Sequence, residues 1–133
     1  MSGAVPSILT ERDGAIATVT LSNPGKLNAL TVAMWQELAR AMERLSADDA
    51  LRCVVLRGAG NEAFAAGADI AEFAQARDTA GQGKVYHRRY VHGALRAVSE
   101  CRHPTVAMIR GPCAGGGLEI ACMCDVRIAG RSG

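Results

Sequence analysis

Two short turns made almost entirely of small residues constrain this chain most: Phe64-Ala65-Ala66-Gly67-Ala68-Asp69-Ile70 and Gly111-Pro112-Cys113-Ala114-Gly115-Gly116-Gly117-Leu118-Glu119. Each follows a strand-like run, Cys53-Val54-Val55-Leu56 for the first and Thr105 to Ile109 for the second, and each opens onto a helix-like segment. A chain that twice passes from apolar strand through bare backbone into helix reads as an α/β layered unit with parallel strands. The turns also carry chemistry. Gly and Ala let a ligand reach the peptide group, and the first N–H groups of a helix have no intrahelical acceptor. Two such turns can aim two N–H groups at one oxygen, which is the physical basis of an oxyanion hole.

The remaining pattern fits the same layering. Ile8 to Arg12, then Asp13-Gly14, then Ala15 to Ser22 predicts an opening β-hairpin turning on Asp13-Gly14. Thr31 is a candidate N-cap for a helix in which Met34, Trp35, Leu38, Met42 and Leu45 recur at helical spacing. The run Cys53 to Leu56 reads as a strand covered on both faces, parallel to the second hairpin strand through a βαβ crossover. A short helix is expected from Ile70 to Ala76, capped by Asp69 with Glu72 in the capping-box position. Gly81 to Gly83 interrupts the pattern, and helical character returns from about Lys84 to Glu100. Pro104, a strand from Thr105 to Ile109, a tight loop from Gly111 to Gly117, a helix from Leu118 to Met123 and a strand from Val126 to Ala129 complete the reading. Parallel strands are normally covered by helices on both faces, so further elements are expected to pack beyond Gly133.

Composition excludes several function classes. With 133 residues, 49% of them hydrophobic, the chain can bury one core, and a net charge of only +2 without a like-charge block argues against a nucleic-acid footprint. No membrane-spanning composition and no basic-then-apolar leader in Met1 to Pro6 is visible, so a cytoplasmic protein with a small-molecule partner is expected. Cys53, Cys101, Cys113, Cys122 and Cys124 are an odd set without zinc spacing and read as buried reduced thiols. His87, His92 and His103 lack metal-ligand spacing and read as surface or helix-packing residues. Lys84, Arg88 and Arg89 read as a solvated helix face.

Two motifs fail on context. Gly58-Ala59-Gly60-Asn61-Glu62-Ala63 matches the loose dinucleotide pattern G-x-G-x-x-A, but Gly67 breaks the long helix that should follow. Gly111 to Glu119 resembles a hydrolase nucleophile elbow, yet Gly115 and Gly116 stand where the serine would be. Cys113 is the nearest nucleophilic type and has no evident base partner. Taken alone, the three glycines fit either a sharp turn or a ligand against bare backbone, and Glu119 fits either a structural or an acid/base role.

Taken in order, Asn23-Pro24 with Leu27-Asn28-Ala29-Leu30, Phe64 to Ile70, Gly115-Gly116-Gly117-Leu118-Glu119 and Cys124-Asp125 resemble the enoyl-CoA hydratase/isomerase (crotonase) family. The resemblance runs from about Ile8 to Gly130. It implies a ClpP/crotonase spiral of ββα units, with residues 1–133 as the N-terminal portion of a single domain, ending before the C-terminal helices. It also implies an acyl-CoA thioester substrate, with coenzyme A belonging to the substrate, no separate cofactor and no metal.

By the same resemblance the N–H groups of Ala68 and Gly116 hold the thioester oxygen. Gly115, Ala66, Asp69, Ile70 and Ala71 line the acyl-CoA path, and Lys26 and Ala29 lie near its nucleotide end. Many members have Lys where this chain has Ala71, which puts one polar contact to CoA in doubt. Glu119 matches the first of two glutamates with which hydratases activate water, and the second is expected beyond Gly133. Trimers pairing into hexamers are implied for the family. The function expected is hydration of a 2-enoyl-CoA; isomerisation of its double bond and a non-catalytic acyl-CoA-binding or structural fragment are the alternatives.

Overall fold

The structure, a computed structural model, describes residues 5–68 and 80–130, the second stretch with side chains from 88 onward. It opens with the expected hairpin, β1 (Ser7–Asp13) antiparallel to β2 (Ile16–Ser22). The turn sits one residue later than the sequence predicts. Asp13 pairs with Ile16, so the two-residue loop is Gly14-Ala15, and Gly14 has φ +61°. A primed hairpin turn requires positive φ at its first central position, which puts the glycine there rather than second.

Thr31 caps the next element as expected. Its hydroxyl accepts the Met34 N–H at 3.0 Å and starts α1 (Val32–Ser46). Met34, Trp35, Leu38, Ala41 and Met42 form its buried stripe. β3 (Cys53–Gly58) then runs parallel to β2, confirming the crossover.

The following helix, α2 (Ala80–Ser99), includes Gly81 and Gly83, which the sequence reading had as a break before a helix from Lys84. Glycine costs about 1 kcal/mol in a helix relative to alanine. Ala94 and Val98 bury in the core further along α2, with Tyr90, Val91 and Leu95 packed against it, and such tertiary packing overrides local propensity. β4 (Thr105–Ile109), α3 (Gly116–Met123) and β5 (Val126–Ala129) are the remaining elements among the described residues, α3 beginning two residues before the predicted Leu118. The expected helix from Ile70 to Ala76, with its Asp69 cap and Glu72, lies outside the described residues.

The five strands lie in the order β1-β2-β3-β4-β5, all parallel after the first pair. Ala17, Val19, Leu21, Val54, Leu56, Ala107 and Ile109 bury on one face with residues of α1, α2 and α3. The expectation that β3 is covered on both sides is not met among the described residues. Its burial alternates, Cys53 and Val55 being half-buried, and on the same open face Met108 is 43% and Ile128 57% exposed. All four residues of β5 are exposed.

Cys124-Asp125 has a structural task. The Asp125 carboxylate accepts the Thr105 N–H at 2.9 Å and its hydroxyl at 3.3 Å, while Thr105 Oγ1 accepts the Asp125 N–H at 2.9 Å. This reciprocal set ties the start of β5 to the start of β4. It thereby holds the α3 segment between them in place.

Candidate active site

β3 and β4 are adjacent and parallel, so the two small-residue turns leave the sheet at the same end. This is the carboxyl end of the strands, where open α/β sheets place their ligands. There the turns pair. Phe64 donates its N–H to Pro112 O at 3.1 Å and Ala114 to Ala65 O at 3.1 Å, with a parallel bridge between Ala65 and Cys113.

A third segment joins on the other side. Ala66 N–H reaches Leu27 O at 3.1 Å, Leu30 N–H reaches Gly67 O at 2.7 Å, and Leu30 bridges Ala68. Residues 27–30, 64–68 and 112–115 thus lie side by side.

Backbone conformation accounts for the first glycine of the triple run and packing for the other two. Gly115 has φ +51°, and a Cβ there would stand 3.4 Å from Gly67 Cα. A Cβ on Gly116 would fall 2.6 Å from Trp35 Cζ2, and one on Gly117 2.4 Å from Ala65 O. Between the two readings the sequence left open, a sharp turn at Gly115 and close packing at Gly116 and Gly117 are sufficient reason for the glycines. Any chemical argument therefore rests on where the N–H groups point.

Both key peptides are fixed through their carbonyls. All peptide bonds described are trans, so the C=O and N–H of one unit point in opposite directions. Gly67 O is held by Leu30, which turns the Ala68 N–H away from segment 27–30. Gly115 O accepts the Glu119 N–H at 3.0 Å in the first turn of α3, which turns the Gly116 N–H out of the helix N-terminus. Gly117 and Leu118 donate to Ala114 O. Neither the Ala68 nor the Gly116 N–H has an acceptor among the described residues.

The other expected site residues distribute as follows. Glu119 is exposed on the first turn of α3, three residues past Gly116, where the helix N-terminus favours a carboxylate. Lys26 is exposed, Ala29 buried, Ala66 half-buried and Gly115 exposed, all on the three paired segments or the turn leading into them. Asp69, Ile70 and Ala71 lie outside the described residues.

Asn23, which with Pro24-Gly25 ends β2 as the sequence suggests, and Asn28 also have a role that the sequence reading does not assign. Buried Asn28 has φ +56°; its Oδ1 accepts the Asn23 N–H at 3.0 Å and its Nδ2 donates to Ala59 O at 3.1 Å and Ala63 O at 3.0 Å. Asn23 Nδ2 donates to Ala29 O at 2.7 Å. The signal was available, because asparagine is the non-glycine residue that best tolerates left-handed backbone and bonds neighbouring main chain. The Asn28 amide fastens segment 27–30 to the turn ahead of Phe64, and the Asn23 amide ties the same segment to the end of β2.

Nucleophilic and metal chemistry find no support among the described residues. Burial pushes the half-buried Cys113 thiol above its ordinary range, and burial raises that of Cys124 to about 11. Only Cys124 is buried, Cys53, Cys101 and Cys113 being half-buried and Cys122 exposed, which corrects the expectation that all five thiols are buried. His103 is buried rather than on the surface, its Nε2 2.8 Å from Asp48 O, while His92 is exposed and the side chain of His87 lies outside those described. No group of three or more His, Cys, Asp or Glu could hold a metal among the described residues. Arg88 and Arg89 are exposed, as a solvated face requires; the Lys84 side chain is not among those described. The decoy Gly58 to Ala63 runs into turns and bridges instead of a helix.

Comparison with known proteins decides the family. Residues 11–133 match the model described as enoyl-CoA hydratase/isomerase. The chain belongs to that family. A relative from Rhizobium meliloti named "Probable enoyl-CoA hydratase" is 36% identical over 129 residues, covering 95% of this chain and 47% of its own length. A relative from Bos taurus named "3-hydroxyisobutyryl-CoA hydrolase, mitochondrial" is 30% identical over 128 residues, covering 95% of this chain and 33% of its own. The crystal structure of an enoyl-CoA hydratase/carnithine racemase from Magnetospirillum magneticum superposes with TM-score 0.89 and 52% identity, over 95% of this chain and 47% of that one. The fold is thus the crotonase fold expected from the sequence, and the family member described here spans about half the length of its hydratase relative. No helix among the described residues is long and apolar enough to cross a membrane.

Proposed function

We propose that this family member hydrates 2-enoyl-CoA thioesters, with the N–H groups of Ala68 and Gly116 sharing the thioester oxygen and Glu119 serving as one member of the acid/base pair. The observation that carries this reading is the pair of peptides locked through Gly67 O and Gly115 O, each leaving an N–H without an acceptor among the described residues. In the reaction water adds at the β-carbon, a C–O bond forms, and the π electrons move through the α-carbon onto the thioester oxygen as an enolate. A proton then reaches the α-carbon, giving the 3-hydroxyacyl-CoA. Two preoriented donors act where that negative charge develops, the arrangement that lowers the barrier most.

Glu119 takes the proton of the attacking water or positions it. Lys26, Ala29 and Ala66 border the CoA path in this reading, with Asp69, Ile70 and Ala71 continuing it. Nothing beyond the CoA of the substrate is required. Double-bond isomerisation passes through the same enolate, but a carboxylate at position 119 favours hydration. One observation favours a second reading: among the described residues Glu119 is the only carboxylate on the three paired segments and the first turn of α3. A single carboxylate suits a non-catalytic acyl-CoA binder.

Crotonyl-CoA separates these. Hydration removes the conjugated enoyl-thioester absorbance and yields 3-hydroxybutyryl-CoA carrying oxygen from labelled water. Binding without loss of absorbance establishes the binder instead. Conversion of a 3-enoyl-CoA to its 2-enoyl isomer, with no uptake of label, establishes the isomerase.

A further inference from the structure

We propose that Trp35 is the positioning residue of this site, the side chain against which the Gly116 N–H is set relative to that of Ala68. The proposal rests on the thioester reading above. Trp35 is the only tryptophan in the chain and is 2% exposed in the first turns of α1. Its backbone N–H donates to the backbone Thr31 O at 3.1 Å, in the first turn of the helix whose start the Thr31 hydroxyl caps, and that turn places the indole.

The indole meets the site at one point. A Cβ on Gly116 would lie 2.6 Å from Trp35 Cζ2, 3.1 Å from Cη2 and 3.2 Å from Leu30 Cδ1. Gly116 therefore rests directly on the outer edge of the benzo ring, with a Leu30 methyl beside it. The Leu30 backbone meanwhile grips the other turn, its N–H 2.7 Å from Gly67 O. One short stretch, Leu30 to Trp35, touches Gly116 through side chains and orients the Ala68 peptide through backbone.

The spacing of the two donors is thus set by the entrance to α1 and not by either turn alone. Donors to a developing oxyanion must stand about 2.7–3.1 Å from it, and a displacement near 1 Å can cost about a hundredfold in rate. Tryptophan suits the task because it is large, has two side-chain torsions and cannot collapse. Shortening it opens a space beneath Gly116 into which that peptide can sink. Trp35 itself does not reach the substrate and acts through Gly116.

The test uses an enoyl-CoA bearing an electron-donating aryl group, whose absorption moves to the red when its thioester carbonyl is polarised. The wild-type chain should bind this probe with a red shift. Trp35→Phe and Trp35→Leu should bind it within about threefold of wild type but lose at least half of the shift, and on crotonyl-CoA lower kcat about tenfold or more with KM nearly unchanged. Gly116→Ala should abolish the shift, and Trp35→Phe combined with Gly116→Ala should restore part of it, because the new methyl fits where the benzo ring stood.

A full shift in both Trp35 variants with intact binding overturns the positioning role and leaves the thioester reading standing. Binding of the probe by wild type with no shift overturns both. Loss of the cooperative thermal melt in Trp35→Phe also overturns the proposal, since a residue needed only for the core gives that result. Failure of the double variant to recover any shift does the same.

Discussion

If the proposed hydratase reading holds, Glu119→Gln is expected to lower crotonyl-CoA hydration by about 10²- to 10⁴-fold and to leave acyl-CoA binding nearly unchanged, the loss expected on removing a general acid/base. Glutamine keeps the shape and can still bond a water, but it cannot take that water's proton. Stability should scarcely move. Glu119 is exposed and joins no ion pair among the described residues, so what the fold loses is its interaction with the α3 N-terminus, below about 1 kcal/mol. A thermal melt superimposable on wild type, together with the rate loss, separates a chemical role from a structural one. Retention of the rate removes Glu119 from the mechanism.

A large loss of stability is expected at Gly117, where the two turns meet. A valine there brings its Cβ 2.4 Å from Ala65 O and 2.7 Å from Ala65 Cβ. The obstacle is main chain, not a side chain that can swing aside. Ala65 O is already committed to the Ala114 N–H at 3.1 Å, so relief requires the two turns to part. Gly117→Val is expected to cost more than about 3 kcal/mol, read as a collapse of the thermal melt or failure to fold. Gly93 provides the contrast: a Cβ there meets nothing within 4 Å, and Gly93→Ala in the interior of α2 should stabilise by about 0.5–1 kcal/mol. Equal tolerance at both positions contradicts the close approach of the turns.

These two cases show what sequence carries and what it does not. Helix α1 is legible because burial on one face imposes a period, Thr31 because a cap is a local bond, and β3 and β4 because they are short apolar runs, although the run in β3 suggests cover on both faces where the described residues cover one. The hairpin turn was misplaced by one residue because Asp13-Gly14 and Gly14-Ala15 are both acceptable turn pairs, and only the register of Asp13 with Ile16 decides between them. The start of α2 was missed because Gly81 and Gly83 are poor locally, while the helix is held by packing further along. At the site the two turns were evident, but not why they are bare. The contacts of Gly116 with Trp35 and of Gly117 with Ala65 join residues far apart in the chain, and no local pattern reports them. Asn28 illustrates the converse, a local signal whose meaning depends on carbonyls more than thirty residues away.

In the proposed function two main-chain N–H groups converge on one thioester oxygen. Co-crystallisation of the chain with a non-reactive acyl-CoA thioester tests it most directly. The thioester oxygen is expected about 2.7–3.1 Å from both Ala68 N and Gly116 N. A thioester oxygen bound by neither, with the acyl-CoA seated elsewhere on the chain, contradicts it.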